Sequence, residues 1–297
     1  MWIASLISSR KVFKNYLLSN LQYLIFKRLF PYVSISVKCI DGSIASLSVD
    51  EYYALLVGLR RGIIVNYSCS DNAVVLFNGL KISLSEFLEL DPRALLLGWK
   101  YNGGFWELNG VKMKHLPPPV VEVFNYRMYD RLRYVKGSVV VDVGAGVGDS
   151  VIYFILRGAE KVIALEPNIK YCYEMLENFR LNNVEGSKVV VLSRSADSHT
   201  LSELVSEYSI DDGVLKMDCE GCEYEVLLNT PAEVLRHFRE VLVEYHGSPK
   251  PLVKKLIEVG FKVSVEKPWA YIRTKTRTPI PVGFIYAEVG LTAVVKY

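Results

Sequence analysis

Residues 139–150 read Val-Val-Val-Asp-Val-Gly-Ala-Gly-Val-Gly-Asp-Ser, and this stretch decides the fold. Three β-branched residues lead into Asp142, and glycines then alternate at positions 144, 146 and 148. The run predicts a buried strand, a tight turn and a helix start, because glycine lets the backbone turn sharply and approach a ligand closely. We therefore expect a nucleotide-type site at the carboxyl end of this strand.

The composition is that of a folded protein with a large core. The chain has 297 residues, of which 51% are hydrophobic and 23% charged, and this suits one large or two modest domains. The formal net charge is only +3, which argues against a general binder of nucleic acids. No apolar run reaches the roughly 18–20 residues of a membrane span, and no secretory leader is recognised, so we expect a cytoplasmic protein.

The five cysteines, at positions 39, 69, 172, 219 and 222, show no disulfide pattern. An odd number without regular spacing is typical of a reducing compartment. Cys219 and Cys222 have the C-x-x-C spacing, but the second pair that a structural zinc site needs is missing. We expect both to be small residues around a turn, with a redox pair as the alternative.

The first 30 residues carry five basic side chains and no acid. Residues 12–30 predict a helix that ends at Pro31, because its apolar residues share one face. That face consists of Phe13, Leu17, Leu21, Leu24 and Ile25. Basic residues at both ends suit peripheral contact with an anionic membrane through residues 10–30, and packing on the rest of the protein is the alternative.

A small α+β module is predicted after this helix. Ser48 and Glu51 form a capping-box pattern that predicts a helix start. Asp-Gly or Asn-Gly pairs between short apolar runs predict hairpins at residues 41–42, 78–79 and 109–110. No catalytic motif occurs here, so we expect a substrate platform, a lid or an oligomer contact. With the prolines at 117–119 as a stiff boundary, the predicted segments are 1–31, 32–116 and 117–297.

The last segment alternates strands and helices after a helix predicted over 120–134. This alternation implies a mostly parallel sheet with helices on both faces. The predicted strands are 138–143, 161–166, 188–193, 213–218 and 239–245, and the helices between them are 148–157, 169–182, 199–208 and 222–237. An antiparallel closing hairpin is predicted from the last apolar runs, 261–265, 283–289 and 291–296.

Two acids at predicted strand ends narrow the choice of ligand. Glu166 ends the second strand, where its carboxylate can accept hydrogen bonds from both ribose hydroxyls. Asp142 would be buried without a partner unless a cation met it, and a ligand with an ammonium and a sulfonium would supply one. The G-x-G-x-x-G pattern of nicotinamide enzymes is not matched, because the third glycine, Gly148, comes one residue early.

Three stretches resemble one family. Those around Asp142 and Glu166 resemble the first two motifs of class I S-adenosylmethionine-dependent methyltransferases. Residues 215–223, Leu-Lys-Met-Asp-Cys-Glu-Gly-Cys-Glu, resemble the Lys-Ile-Asp-x-Glu-Gly-x-Glu signature of the FkbM-type methyltransferases, and residues 243–247 resemble their strand-five ending. The resemblance covers about residues 125–265 and leaves the N-terminal module outside.

This resemblance implies a Rossmann-like α/β fold with a seven-stranded, mostly parallel sheet and a reversed last strand. It implies S-adenosylmethionine as cofactor and methylation of a hydroxyl oxygen on a small molecule, a sugar or a lipid-linked glycan. The expected cofactor contacts are Asp142, Gly144, Ala145, Gly146, Gly148, Asp149, Ser150, Glu166, Pro167, Asn168, Ser195, Ala196 and Asp218.

A hydroxyl acceptor gains from a general base near the methyl donor. Glu244 and His246 point to the same side of the fifth strand, and His246 is the leading candidate; Asp218 is expected to orient the cofactor or the substrate. Tentative substrate contacts are Glu220, Glu223, Trp269 and Arg273. Glu223 could instead cap the following helix. No metal ion is predicted, although the acids could hold a divalent cation as in some catechol-type methyltransferases.

The methyl acceptor and the oligomeric state are not indicated by the sequence. The stretch 266–279 alternates basic and aromatic residues, which suits a phosphorylated or sugar acceptor, lipid headgroups or RNA, and a solvated hairpin equally. The alternative function is an RNA- or membrane-binding module that keeps the methyltransferase fold without catalysis.

Overall fold

The structure is a computed structural model that describes residues 2–30, 32–266, 268, 270–273 and 279–289. The chain forms two compact units. The first unit comprises Met1–Leu108 and His115–Pro118, and the second comprises Asn109–Lys114 and Pro119–Tyr297. This division differs from the predicted segments, because the N-terminal helices belong to the first unit and the short stretch 109–114 belongs to the second.

The first unit combines short helices with two- and three-stranded antiparallel pairings. Its elements are α1 (Trp2–Ser9), α2 (Tyr16–Leu29), β1 (Ile35–Lys38), β2 (Ile44–Leu47), α3 (Val49–Arg61), β3 (Ile64–Ser68), β4 (Ala73–Leu76), β5 (Lys81–Ser83), α4 (Leu84–Leu88), α5 (Arg93–Leu96), β6 (Lys100–Tyr101) and β7 (Trp106–Leu108).

Local chemistry explains the parts of this unit that the sequence predicted. The hairpins β1–β2 and β4–β5 are confirmed at their Asp-Gly and Asn-Gly turns. The capping box of α3 is confirmed, since the Ser48 hydroxyl accepts from the Glu51 N–H and the Glu51 carboxylate accepts from the Ser48 N–H. α3 ends at Gly62, whose φ of +72° favours glycine.

The single helix predicted over 12–30 is wrong at its start. Residues 2–9 form α1, the chain leaves the helix, and α2 begins only at Tyr16. Phe13 lies in this break, where it is 1% exposed and packs against the rings of Tyr52 and Tyr67. Burial of this ring among aromatic neighbours outweighs the weak helix propensity of the local sequence.

The second unit holds the larger sheet and its helices. Its elements are β8 (Val111–Met113), α6 (Pro118–Phe124), β9 (Val139–Val143), α7 (Asp149–Leu156), β10 (Lys161–Leu165), α8 (Ile169–Leu181), β11 (Val189–Leu192), α9 (Thr200–Glu207), β12 (Gly213–Met217), α10 (Glu223–Asn229), α11 (Ala232–Leu235), β13 (Phe238–His246), α12 (Lys250–Val259), β14 (Phe261–Val265), β15 (Ala270–Arg273) and β16 (Pro279–Val289).

The predicted α/β fold is confirmed. Within the described residues the sheet order is β11-β10-β9-β12-β13-β16-β14, with β15 pairing to β16. Strands β9 to β13 all run parallel to one another. Strand β16 runs antiparallel to both β13 and β14. This is the Rossmann-like class I methyltransferase arrangement, and its chain order reverses at β9, where ligand crevices form in open α/β sheets. The last predicted run, 291–296, lies outside the described residues.

Three helix predictions need correction. The helix predicted over 222–237 is divided into α10 and α11, because Pro231 has no N–H and keeps Thr230 extended at ψ 129°. The helix predicted over 120–134 ends at Phe124, and Arg127 then adopts a left-handed conformation with φ 54°. α12 was not predicted, although Gly260 closes it in the expected way.

The prediction that the cysteines form no disulfide pattern is wrong. Cys39 follows β1 and Cys69 follows β3, and the two form a disulfide with their Cα atoms 5.9 Å apart. Cys219 and Cys222 form the second disulfide, and Cys172 is free and buried. Pairing across 30 residues depends on tertiary structure, which spacing alone does not reveal.

A bilayer-crossing helix would need more length and hydropathy than any helix in the described part of the chain has.

Candidate functional site

A cavity of about 320 Å³ opens at the carboxyl ends of β9, β10 and β12. Its size is within the roughly 300–1,000 Å³ range of small-molecule sites. All of its lining residues belong to the second unit. They are Pro119, Tyr129, Val143, Gly144, Ala145, Gly146, Asp149, Ser150, Leu165, Glu166, Pro167, Tyr171, Arg194, Ser195, Ala196, Lys216, Asp218, Cys219, Glu220 and Cys222.

Most of the predicted cofactor contacts line this cavity, but three do not. Asp142, Gly148 and Asn168 lie outside its wall. Asn168 caps α8, accepting a hydrogen bond from the Lys170 N–H. A Cβ on Gly148 would come within 2.5 Å of the Met175 side chain, so this glycine allows close packing of α8 rather than approach of a ligand.

Glu166 is held at the cavity wall by two backbone donors. Gly146 N–H donates to its Oε2 at 3.0 Å, and Asn168 N–H donates to its Oε1 at 2.8 Å. The side chain is 7% exposed, yet each carboxylate oxygen keeps a further lone pair. The carboxylate is thus fixed in position and still able to accept hydrogen bonds from a ligand.

Asp142 meets a cation from within the chain. Lys216 Nζ lies 2.9 Å from Asp142 Oδ1 and donates to the Gly144 carbonyl at 2.7 Å, and the Ser150 hydroxyl donates to Asp142 Oδ2. Asp142 is fully buried and Lys216 is 1% exposed. The expectation that a cationic ligand partners Asp142 is therefore corrected: the ion pair lies beneath the glycine turn and ties β12 to it.

The glycine turn packs tightly against the end of β12. Gly144 has a φ of +81°, and a Cβ there would lie 1.8 Å from the Asp218 carbonyl oxygen. Nearby, burial raises the pKa of Asp149 to about 7, although the charge of Lys216 opposes that rise. Only glycine at position 144 lets the turn and the residue after β12 share this space.

Asp218, Glu244 and His246 come together at the ends of β12 and β13. Each offers a ligand atom, and these atoms lie within 4.8 Å of one another, a set that a divalent cation also accepts. Burial and the adjacent charge and hydrogen bond of Asp218 raise the pKa of Glu244 to about 10. Glu244 therefore keeps its proton at neutral pH.

His246 is clamped between two carboxylates. Its Nδ1 lies 2.9 Å from Glu223 Oε1, and its Nε2 lies 3.3 Å from Glu220 Oε2. Burial lowers the pKa of His246, but the hydrogen bond to Glu223 and the surrounding carboxylates raise it more, so it stands above its ordinary 6.5. Glu223 is fully buried and Glu220 is 79% exposed. Glu223 was predicted to contact the substrate, but its buried carboxylate orients the imidazole and also accepts from the Cys219 N–H at 3.4 Å.

The disulfide Cys219–Cys222 closes the loop that carries Glu220, and both cysteines line the cavity. Glu220 has a φ of 58° and Gly221 a φ of 122°. The C-x-x-C pair is therefore a disulfide in the wall of the site, and the redox-pair alternative stays a prediction.

Sequence reasoning missed several residues of the site. Tyr171 and Arg194 line the cavity from the segments after β10 and β11. Tyr129 also lines it, and its ring lies 5.7 Å from Lys216 Nζ. Tyr129 and Tyr171 have no fixed spacing from the glycine turn, and only Lys216, two residues before Asp218 in the stretch 215–223, offered a signal.

Two predicted substrate contacts stay predictions. Trp269 lies outside the described residues. Arg273 ends β15, whose backbone pairs with β16.

Two asparagines of α8 connect the glycine turn to the separate stretch 109–114. Asn178 Nδ2 donates to the Val147 carbonyl at 2.9 Å, and its Oδ1 accepts from the Lys114 N–H at 2.7 Å. Asn182 Oδ1 accepts from the Lys112 N–H at 2.9 Å. Asn178 is fully buried, so its amide is a structural link between β8 and the turn.

Comparison with known proteins adds the following. No protein-family model matches the chain. A curated relative, uncharacterized protein 158B of Sulfolobus islandicus rod-shaped virus 1, is 28% identical over 113 residues, which cover 38% of this chain and 63% of that protein. The chain thus spans less than two thirds of the length of this relative.

Among the solved structures with a similar fold, two are named methyltransferases and a third holds S-adenosyl-homocysteine. The S-adenosylmethionine-dependent methyltransferase of Agrobacterium tumefaciens is 14% identical, covering 64% of this chain and 72% of that one at a TM-score of 0.45. The precorrin-6y C5,15-methyltransferase of Geobacter metallireducens is 19% identical, covering 56% and 87% at 0.40. TrmK of M. capricolum with S-adenosyl-homocysteine is 13% identical, covering 56% and 67% at 0.38. These are likenesses of fold.

Proposed function

We propose that this protein is an S-adenosylmethionine-dependent methyltransferase that acts on a hydroxyl oxygen of a small molecule, a sugar or a lipid-linked glycan. The observation that carries the proposal is the Glu166 carboxylate, fixed by two backbone N–H groups at the wall of a cavity beside the glycine turn. A carboxylate at the end of β10 is the group that binds ribose hydroxyls in this type of crevice.

The charges around the cavity favour an adenosyl sulfonium over a dinucleotide. Among the described lining residues, the cations Lys216 and Arg194 are both paired, with Asp142 and Glu203 respectively. A diphosphate would find no available cation there. The other carboxylates among the lining residues are complementary in charge to the ammonium and sulfonium groups of S-adenosylmethionine.

The residues that line the cavity also match the shape of S-adenosylmethionine. Leu165, Tyr171 and Ala196 supply apolar surface beside Glu166, as an adenine ring requires. Gly144 and Gly146 have no side chains, so a ligand can approach the backbone of the turn closely. When bound, S-adenosylmethionine supplies an electrophilic methyl group.

His246 is the general base that we propose for a hydroxyl acceptor; it is not itself among the residues that line the cavity, but it contacts Glu220, which is. Glu223 holds its Nδ1, which leaves Nε2 directed toward the exposed Glu220. An acceptor hydroxyl that displaces the Glu220 carboxylate would donate its hydrogen bond to Nε2, and the raised pKa makes the imidazole a stronger base. Protonated Glu244 would donate a hydrogen bond to the acceptor, and Asp218, which lines the cavity, would help to orient it.

Isothermal titration calorimetry with S-adenosylmethionine and S-adenosylhomocysteine tests the cofactor. Glu166→Ala should weaken binding at least about tenfold, since hydrogen bonds to a charged group contribute roughly 1.5–3 kcal/mol each. The matched control is Glu177→Ala, an exposed acid on α8 that should leave affinity unchanged. Absence of binding at high micromolar concentration, equal affinity of the two variants, or tighter binding of a nicotinamide dinucleotide would contradict the proposal.

Methyl transfer is tested with a radiolabelled donor and a panel of hydroxyl compounds. For any acceptor that the unmodified protein methylates, His246→Ala should reduce the turnover number roughly 10²–10⁴-fold and leave donor affinity near its original value. A fully active His246→Ala variant would remove this residue from the mechanism.

A further inference from the structure

The helix α2 turns its apolar side toward solvent. Its exposed leucines and isoleucine recur at helical spacing, so they form one continuous face. This outer face of α2 consists of Leu17, Leu18, Leu21, Leu24, Ile25 and Leu29, which are between 41% and 67% exposed. Contiguous exposed apolar surface of this kind marks an interaction site.

Polar contacts on the opposite side fix this orientation. Ser19 and Asn20 are buried. The Tyr52 hydroxyl donates to Ser19 Oγ at 2.9 Å, and Asn20 Nδ2 donates to Ser9 Oγ at 2.8 Å. Rolling the helix to bury its leucines would expose Tyr23 and break these hydrogen bonds, so the outward apolar face is part of the fold.

The entry to α2 is held equally firmly. Asn15 Nδ2 donates to the Ser36 carbonyl at 2.9 Å, and Asn15 Oδ1 accepts from the Lys38 N–H at 2.7 Å. The side chain of Asn15 therefore pairs with the edge of β1 and sets the direction of the helix.

The segment that carries the outer face is positively charged. Residues 1–30 contain no acid, and their basic side chains are Arg10, Lys11, Lys14, Lys27 and Arg28. All five are exposed. Arg28 follows Leu21 and Leu24 on the same side of the helix, at i+7 and i+4. Beyond α2, Phe30 and Tyr32 are 54% and 99% exposed, and aromatic rings of this kind sit at the headgroup level of membranes.

We propose that the outer face of α2 docks on the surface of an anionic lipid bilayer. The charge argument selects this partner: a second copy would bring two acid-free basic faces together, whereas acidic headgroups complement them. The helix has 14 residues, or about 21 Å, so it is suited to lie in the interface rather than to cross it. The leucines would enter the acyl boundary while the basic groups remain among the headgroups.

Vesicle flotation with the full chain tests this proposal. The probes are vesicles of phosphatidylcholine alone and of two parts phosphatidylcholine to one part phosphatidylserine. We expect binding to the anionic vesicles that weakens as salt rises, and little binding to the neutral ones. Truncation is avoided, because Val12 and Phe13 are 2% and 1% exposed and their removal would open the core of the first unit.

Two sets of substitutions separate the contribution of the apolar residues to vesicle binding from that of the charged residues. Leu21→Gln with Ile25→Gln should reduce the partition constant at least about tenfold, and Lys14→Gln about fivefold. The matched control is Leu156→Gln with Ile257→Gln, two residues of the second unit that are 65% and 57% exposed, and it should bind like the unmodified chain.

Four results would overturn the proposal. They are absence of binding to anionic vesicles at low salt, equal binding to neutral vesicles, equal loss in the control variant, and a dimer in solution that Leu21→Gln with Ile25→Gln dissociates. If the chain binds RNA, and this binding needs the basic residues but not the leucines, the basic residues bind a nucleic acid rather than lipid. Thermal unfolding of each variant, followed by circular dichroism, verifies folding independently of the lipid result.

Discussion

Replacing Glu223 by glutamine is expected to lower the pKa of His246, because the hydrogen bond and the charge of this carboxylate are the largest contributions that raise it. Glu223 Oε1 lies 2.9 Å from His246 Nδ1, and the two side chains are 0% and 9% exposed. Glutamine keeps the volume and an acceptor oxygen, so the substitution mainly removes a charge. Two unit charges about 4 Å apart at an effective dielectric constant near 20 interact by about 4 kcal/mol, so the decrease in the pKa should be clearly resolved in a titration.

The assay is an NMR titration of the imidazole Cε1 protons, which needs no knowledge of the methyl acceptor. The chain has four histidines, and His246→Gln identifies the signal that belongs to this residue. Glu220→Gln is the matched control. The Glu220 carboxylate is 79% exposed and 3.3 Å from Nε2, so solvent screens its charge and the pKa of His246 should fall by less than in Glu223→Gln.

The same substitution makes stability depend on pH in a defined direction. The folded pKa of His246 is raised, so its interaction with Glu223 contributes stability that is fully present below the unfolded value near 6.5 and is lost as pH rises through the folded pKa. Glu223→Gln should therefore reduce the free energy of unfolding most at mildly acidic pH, and the difference should shrink in alkaline buffer. An unchanged pKa of His246, or an equal decrease in Glu220→Gln, would refute this account of the clamp.

Two further substitutions test the glycine turn and the ion pair beneath it. Gly144→Ala would place a Cβ 1.8 Å from the Asp218 carbonyl oxygen, so calorimetry should show cofactor affinity at least about tenfold weaker; Gly42→Ala, with no atom within 4 Å, should not alter affinity, and equal behaviour of the two would contradict the packing argument. Lys216→Met leaves Asp142 buried without its cation and should lower the free energy of unfolding by about 3–5 kcal/mol in chemical denaturation at pH 7. Adding Asp142→Asn should restore much of that loss, and an undiminished stability of Lys216→Met alone would contradict the role of the pair.

The α/β sheet was predictable because its signals are local. β-branched runs, turns and caps recur along the second unit, and strand alternation with helices leaves few topologies. The N-terminal helix was harder to predict, because the burial of Phe13 depends on Tyr52 and Tyr67, which lie far along the chain. Its exposed leucines share one face, and the apolar residues of a helix packed on a core do the same. Periodicity alone therefore does not tell whether that face contacts the protein core or solvent.

A site residue was predictable where its type and its place at a strand end indicate its role. It was not predictable where its role depends on a side chain that another strand supplies. Glu166 could be placed because an acid that ends a strand beside a glycine turn has few other uses. Asp142 was assigned to a ligand because its partner, Lys216, comes from a different strand. The clamp on His246 likewise needs β13 and the loop after β12 to meet, and only the sheet order brings them together.

The stretch 109–114 has a consequence for how the protein is made. Lys112 and Lys114 find their hydrogen-bond partners 70 and 64 residues later, in α8. At the roughly 5–20 residues per second of synthesis, this stretch leaves the ribosome seconds before those asparagines exist. The backbone of this stretch is therefore satisfied only after Asn178 has been made, and the same side-chain amide holds the Val147 carbonyl of the glycine turn. A fragment that begins at residue 117 would lack these partners altogether, so a minimal cofactor-binding fragment has to begin at or before Asn109.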